Sequence, residues 1–138
     1  MEIKLPSIDE QRIFVFKMAL DEAKNKIDEN CTAKIICDSL SINESNYPNT
    51  HLLRKREGWE PPHKDIISAY FEQFKKIFGV GSDNEMAELL DLSDGRRIRD
   101  FKQGKTTIPY DVWRKFLIMT GRATQDIIPV YGVIVNKV

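Results

Sequence analysis

Residues 82–121, SDNEMAELLDLSDGRRIRDFKQGKTTIPYDVWRKFLIMTG, constrain this chain most. They read as two short helices around a tight turn, then a basic loop and a third, aromatic-rich helix. Ser82 with Glu85 is a capping-box signal, and Met86, Ala87, Leu89 and Leu90 follow at helical spacing. A turn around Asp91 to Ser93 leads into an arginine-studded helix that ends at Gly104, where a positive φ is easy for glycine. Pro109 suits the first position of the next helix, whose inner face is Val112, Trp113, Phe116 and Leu117.

Upstream, Ser7 and Glu10 form another capping-box signal. Ile13, Phe14, Phe16, Leu20, Ala23 and Ile27 then predict an amphipathic helix of about five turns ending near Asn30. Thr32 is a candidate cap for a second helix through Ile35, Ile36 and Leu40. Residues 47–62 hold Pro48, Gly58 and Pro61-Pro62, and should be largely irregular. Residues 63–78 return to helical periodicity through Ile66, Ile67, Tyr70, Phe71, Phe74 and Phe78, with Gly79 and Gly81 as the stop. The phenylalanine stripes, Phe14 and Phe16 included, are read most simply as core. The β-branched tail IIPVYGVIVNKV is expected as an extended arm or an edge strand.

With 138 residues, 41% of them hydrophobic and 9% aromatic, the chain can bury a real core. No apolar run approaches the ~18 residues of a membrane span, and MEIKLPSIDEQR lacks the regions of a signal peptide. No membrane partner is therefore expected, and the expected location is cytoplasmic. Net charge is zero but unevenly placed, since from Ser93 onward nine Lys and Arg face four Asp and Glu. A locally basic region on a neutral protein suits selective binding better than general adsorption to nucleic acid. Cys31, Cys37, His51 and His63 have spacings that fit no compact metal site, so the cysteines are expected as buried side chains. No nucleophile–base constellation or phosphate-binding glycine loop stands out, and neither catalysis nor a cofactor is expected.

A short basic helix held proud of an apolar core meets what entry into a DNA major groove requires. The stretch from Met86 to Gly104 resembles the lambda-repressor-like (Cro/XRE-type) helix-turn-helix family. That family's small residue, leucine pair, Leu-Ser turn, recognition-helix isoleucine and bulky apolar residue, and closing glycine with a basic residue fall on Ala87, Leu89-Leu90, Leu92-Ser93, Ile98, Phe101 and Gly104-Lys105. Two departures stand out. Asp91 occupies the turn position where glycine is usual, which asks for a left-handed aspartate. The spacing from Ala87 to Ile98 is one residue long, with Gly95 as the apparent insertion.

The resemblance implies a mostly α fold, a helix-turn-helix bundle over residues 63–123. It would carry an N-terminal helical extension and basic loop (residues 1–62) and a C-terminal tail (residues 124–138). On it Arg96, Arg97 and Arg99 open the recognition helix and reach base edges, while Lys102, Lys105, Thr106 and Thr107 are placed for phosphates. Arg54, Lys55 and Arg56 beside Trp59 read either as a basic arm on DNA or as a surface loop with Trp59 pinned to the core. The implied function is a sequence-specific double-stranded-DNA-binding transcriptional regulator of a prokaryote or mobile element, acting as a homodimer. The alternatives are a protein-interaction adaptor, antitoxin-like or phage-like, that keeps the fold, and an accessory factor in plasmid or phage DNA processing. A further competing reading is a solvated arginine-rich helix in a plain bundle.

Overall fold

The spacing of apolar residues after Ser7 and after Ser82 is realised as helix. The computed structural model describes residues 3–136, and contains α1 (Ile8–Asn30), α2 (Lys64–Phe78), α3 (Asp83–Leu89), α4 (Gly95–Gln103) and α5 (Tyr110–Met119). Three short 3-10 turns, Glu44–Asn46, Thr50–Leu52 and Lys55–Glu57, punctuate the proline- and glycine-containing segment before α2. There is no β-strand among the described residues, so the fold is mostly α. No helix of the described residues is long and apolar enough to cross a membrane.

Two units divide the chain. One is Asp38–Ile127, and the other comprises the described part of Met1–Cys37 and Ile128–Val138. In the larger unit, α2 through α5 enclose a core of Ile66, Tyr70, Phe71, Met86, Ile98, Phe101, Ile108, Trp113, Phe116 and Leu117, each 1% exposed or less. Its centre is aromatic: Trp113 stacks on Tyr70 at 5.6 Å and on Phe116 at 5.4 Å, and Phe71 meets Phe116 edge-on at 4.8 Å. Such pairs add about 0.5–1.5 kcal/mol each beyond the area they bury. Leu40, Ile42, Tyr47 and Trp59 close the rim, so the irregular segment before α2 is part of this packing.

Helix ends follow local chemistry. Gly79 and Gly104 stop α2 and α4 with φ of 68° and 74°. Ser82 Oγ accepts from the Glu85 N–H, but the reciprocal bond lands one residue early, on the Gly81 N–H, so the expected box is only half closed. Pro109 is the extended cap of α5, with ψ 151°, and not its first helical residue.

In the smaller unit the Ser7–Glu10 capping box opens α1 as expected. Three other expectations fail. Residues 33–40 are not helical, because the Thr32 hydroxyl donates back to the Glu29 carbonyl (3.0 Å) and finishes α1 where a new cap was expected. Phe14 and Phe16 are not core: no residue of α1 is buried, since no second helix of its unit faces it. Both cysteines, Cys31 and Cys37, are exposed free thiols. In the larger unit Phe78, in the last turn of α2, is also exposed and leans on Phe74 at 4.7 Å.

Candidate nucleic-acid interface

The turn after α3 is closed by backbone. The Asp91 N–H donates to the Glu88 carbonyl (3.2 Å) and the Leu92 N–H to the Ala87 carbonyl (2.8 Å), the bond pair of a Schellman ending. That ending needs a left-handed residue, and Asp91 supplies it at φ 56°, the one non-glycine with positive φ among the described residues. The left-handed aspartate required by the sequence is present. Its carboxylate is ion-paired with Lys115 of α5, which ties the turn to the helix behind it.

Gly95 has a physical role that its reading as an insertion missed. Its N–H donates to Asn84 Oδ1 at 2.9 Å, and a β-carbon there would sit 2.5 Å from that oxygen and 2.8 Å from the Asp83 carbonyl carbon. Only glycine lets the start of α4 press on the start of α3. Asp94 caps α4, its Oδ1 accepting from the Arg96 N–H at 3.0 Å.

With its start fixed, α4 is set in rotation by Ile98 and Phe101, both buried against the core. At 100° per residue, Arg96 then points directly away from the core, with Arg97 and Arg99 on the two flanks. All three are exposed. The Arg97 guanidinium lies 5.6 Å from the Phe101 ring, and Arg99 comes to 4.0 Å of Asp83. Asp100 shares this outer side.

Lys102 is placed differently from the other cations. Its ammonium donates to Glu72 of α2 and to Asp83 of α3, each at 3.0 Å, and Lys75 reaches the same Asp83 oxygen at 3.1 Å. Its side chain is only 18% exposed. Burial pulls the Lys102 pKa down, but the hydrogen bonds to Glu72 and Asp83 outweigh it and leave the value raised. The bond from Lys102 holds the Glu72 carboxyl below its usual range. Burial raises the Asp83 value, and the bonds from Lys102 and Lys75 reverse that to a net lowering. The group is thus a charged clasp joining α2, α3 and α4.

Lys105, Thr106 and Thr107 are exposed in the loop that follows α4. Arg54 is engaged, with Nε 3.2 Å from Asp126 and Nη2 donating to Thr124 Oγ1 at 3.3 Å. Lys55 and Arg56 remain exposed. Trp59 is pinned, its indole N–H donating to the His51 carbonyl (3.1 Å) and its ring edge-on to Tyr110 at 5.2 Å. Tyr110 opens α5 directly after the 105–109 loop, so Trp59 packs at the start of that helix.

Sequence reasoning missed three residues that hold the unit together. His51 is 3% exposed and its Nδ1 accepts from the Trp113 indole N–H at 3.2 Å. Burial, set against the nearby Glu44 and assisted by Arg122, pushes its pKa down. Arg114, also buried, donates to the Thr124 carbonyl (3.1 Å) and the Leu52 carbonyl (3.5 Å), fastening both segments to α5. The Arg122 guanidinium sits 3.9 Å over the Tyr70 ring and donates to Gln73 at 2.8 Å. No local signal marked any of the three: at 100° per residue Arg114 falls about 60° beyond Leu117, outside the apolar stripe of α5. No set of three or more His, Cys, Asp and Glu side chains able to hold a metal occurs among the described residues.

The fold and site define a mostly α protein whose basic helix α4 is locked in place and faces outward with three arginines. No known family, curated protein or solved structure matches the chain.

Proposed function

We propose that Asp38–Ile127 is a sequence-specific double-stranded-DNA-binding unit of the helix-turn-helix kind, with α3 and α4 as its two helices, in a transcriptional regulator of a prokaryote or mobile element. The observation that carries the proposal is the fixation of α4. Gly95, Ile98, Phe101 and the Lys102 clasp hold it in one orientation while Arg96, Arg97 and Arg99 stay outside. A solvated arginine-rich surface has no need of such rigidity, whereas reading base edges does. Arginine forks match guanine O6 and N7, and Lys105, Thr106 and Thr107, exposed in the loop after α4, suit phosphate oxygens.

The acidic residues on the same helix, Asp94 and Asp100, favour a second reading, an adaptor whose mixed-charge face binds a protein. Selection on random duplexes followed by sequencing separates the two. An enriched motif that depends on the α4 arginines supports the regulator. Absence of enrichment at low salt removes it in favour of the adaptor.

A further inference from the structure

The smaller unit has no interior. No described residue of 3–37 or 128–136 is buried, although α1 carries Phe14, Phe16, Met18 and Leu20 and the tail carries seven hydrophobic residues in the ten from Ile127 to Asn136. Bodies below about 40–50 residues rarely hold together on their own surface, and one without buried side chains has no hydrophobic contribution to do so. A groove of about 680 Å³ runs between Ile8, Ile13, Val15 and Phe16 on α1 and residues 130–135 of the tail. The exposed apolar side chains of this unit offer on the order of 2,000 Å², well above the about 800 Å² per partner that a stable interface covers.

The tail shows how that surface can be covered. Residues 127–136 lie in no helix or strand and make no backbone hydrogen bond among the described residues, so their C=O groups and, Pro129 apart, their N–H groups stand open beside β-branched side chains. Such an edge pairs with another strand. The ten residues carry no charge, so a second copy of the same segment meets no repulsion. On α1 the reverse holds. Its seam of Ile13, Phe16, Leu20, Ala23 and Ile27 is flanked by Arg12, Lys17, Lys24 and Lys26, which oppose a second α1 on the same seam.

We infer that the chain is a homodimer held by its tails, the 127–136 segments of two copies pairing as an antiparallel ribbon. A two-fold axis at Gly132 sets Val130 of one copy opposite Ile134 of the other, on one side of the ribbon, as antiparallel pairing requires. Apolar α1 surface is then available to cover it. The inference does not depend on what the larger unit binds.

Two experiments without DNA test it. Light scattering of the full chain should give twice the mass of 16.0 kDa, and Val130→Lys with Ile134→Lys should return it to one. Phe71, Trp113 and the rest of the core lie outside the tail, so Trp fluorescence checks that this variant keeps its larger unit folded. In a Cys31→Ser, Cys37→Ser background, Gly132→Cys should oxidise to a disulfide dimer, because facing strand positions lie within disulfide reach and a β-carbon at 132 meets nothing within 4 Å. A monomer at high micromolar concentration overturns the inference. So does a dimer that survives the double lysine variant, or a Gly132→Cys chain that stays unlinked under oxidation.

Discussion

Asn84 and Gly95 meet at the two helix starts with no room between them: the Gly95 N–H donates to Asn84 Oδ1 at 2.9 Å, and any side chain at 95 would overlap Asn84. This contact fixes where α4 begins relative to α3. Gly95→Ala is expected to cost about 1–3 kcal/mol, as overpacking of a tight site does. Urea melts of Gly95→Ala beside the parent chain check it. Equal stability of Gly95→Ala would mean that α3 and α4 can slide apart freely.

The helices of the larger unit were legible because their signals are local. Ser82 acts through its hydroxyl on a backbone N–H three residues on, Gly79 and Gly104 act through their own backbone, and the α4 stripe of Ile98 and Phe101 needs only helical spacing. Other features depend on partners distant in sequence. Nothing near Lys102 says that it turns toward Glu72, thirty residues away, while Arg99 stays outside. Thr32 carried a cap's side chain, yet it closed the helix behind it, since a threonine hydroxyl serves either end. Phe14 and Phe16 show the limit of periodicity, which marks an apolar face without saying what covers it.

Asp91 occupies a conformation that favours glycine. Asp91→Gly removes the side-chain clash of the left-handed region and also the ion pair with Lys115, whose partner carboxylate is largely exposed and contributes little. The expected result is a neutral change or a gain of up to about 1 kcal/mol. Asp91→Val should be clearly destabilising, because a branched β-carbon fits that region worst. Thermal melts of the two variants should fall on opposite sides of the parent or, for glycine, coincide with it.

His51 gives the fold a pH dependence with a definite sign. Its value is lowered in the folded state, by burial first and by Arg122 as well, with Glu44 opposing. The unfolded chain therefore binds the proton more readily, and the stability contributed by neutral His51 is complete above the ordinary value of 6.5. It is lost as pH falls below 6.5 and through the depressed folded value. Protonation at Nδ1 would also remove the acceptor for the Trp113 indole. Melting temperature should fall between pH 8 and pH 5, and His51→Asn, whose amide oxygen can still accept that bond, should flatten the fall. An unchanged slope in the variant would place the titrating group elsewhere.

The arginines should separate by geometry. Arg96 points straight away from the core, while Arg97 leans toward Phe101 and Arg99 toward Asp83. Each bidentate base contact discriminates by about 1–3 kcal/mol, so Arg96→Ala should relax base preference at one position by the largest amount. Arg97→Ala and Arg99→Ala should have smaller effects, within the same range. Lys105→Ala should weaken all sequences alike and lower the salt slope by about one phosphate. Lys102→Ala should act through the clasp, lowering stability before it alters selectivity. Binding isotherms at several salt concentrations, set beside melts of the same variants, resolve these effects. If all three α4 arginine variants keep the parent's base preference, α4 is not the reading helix.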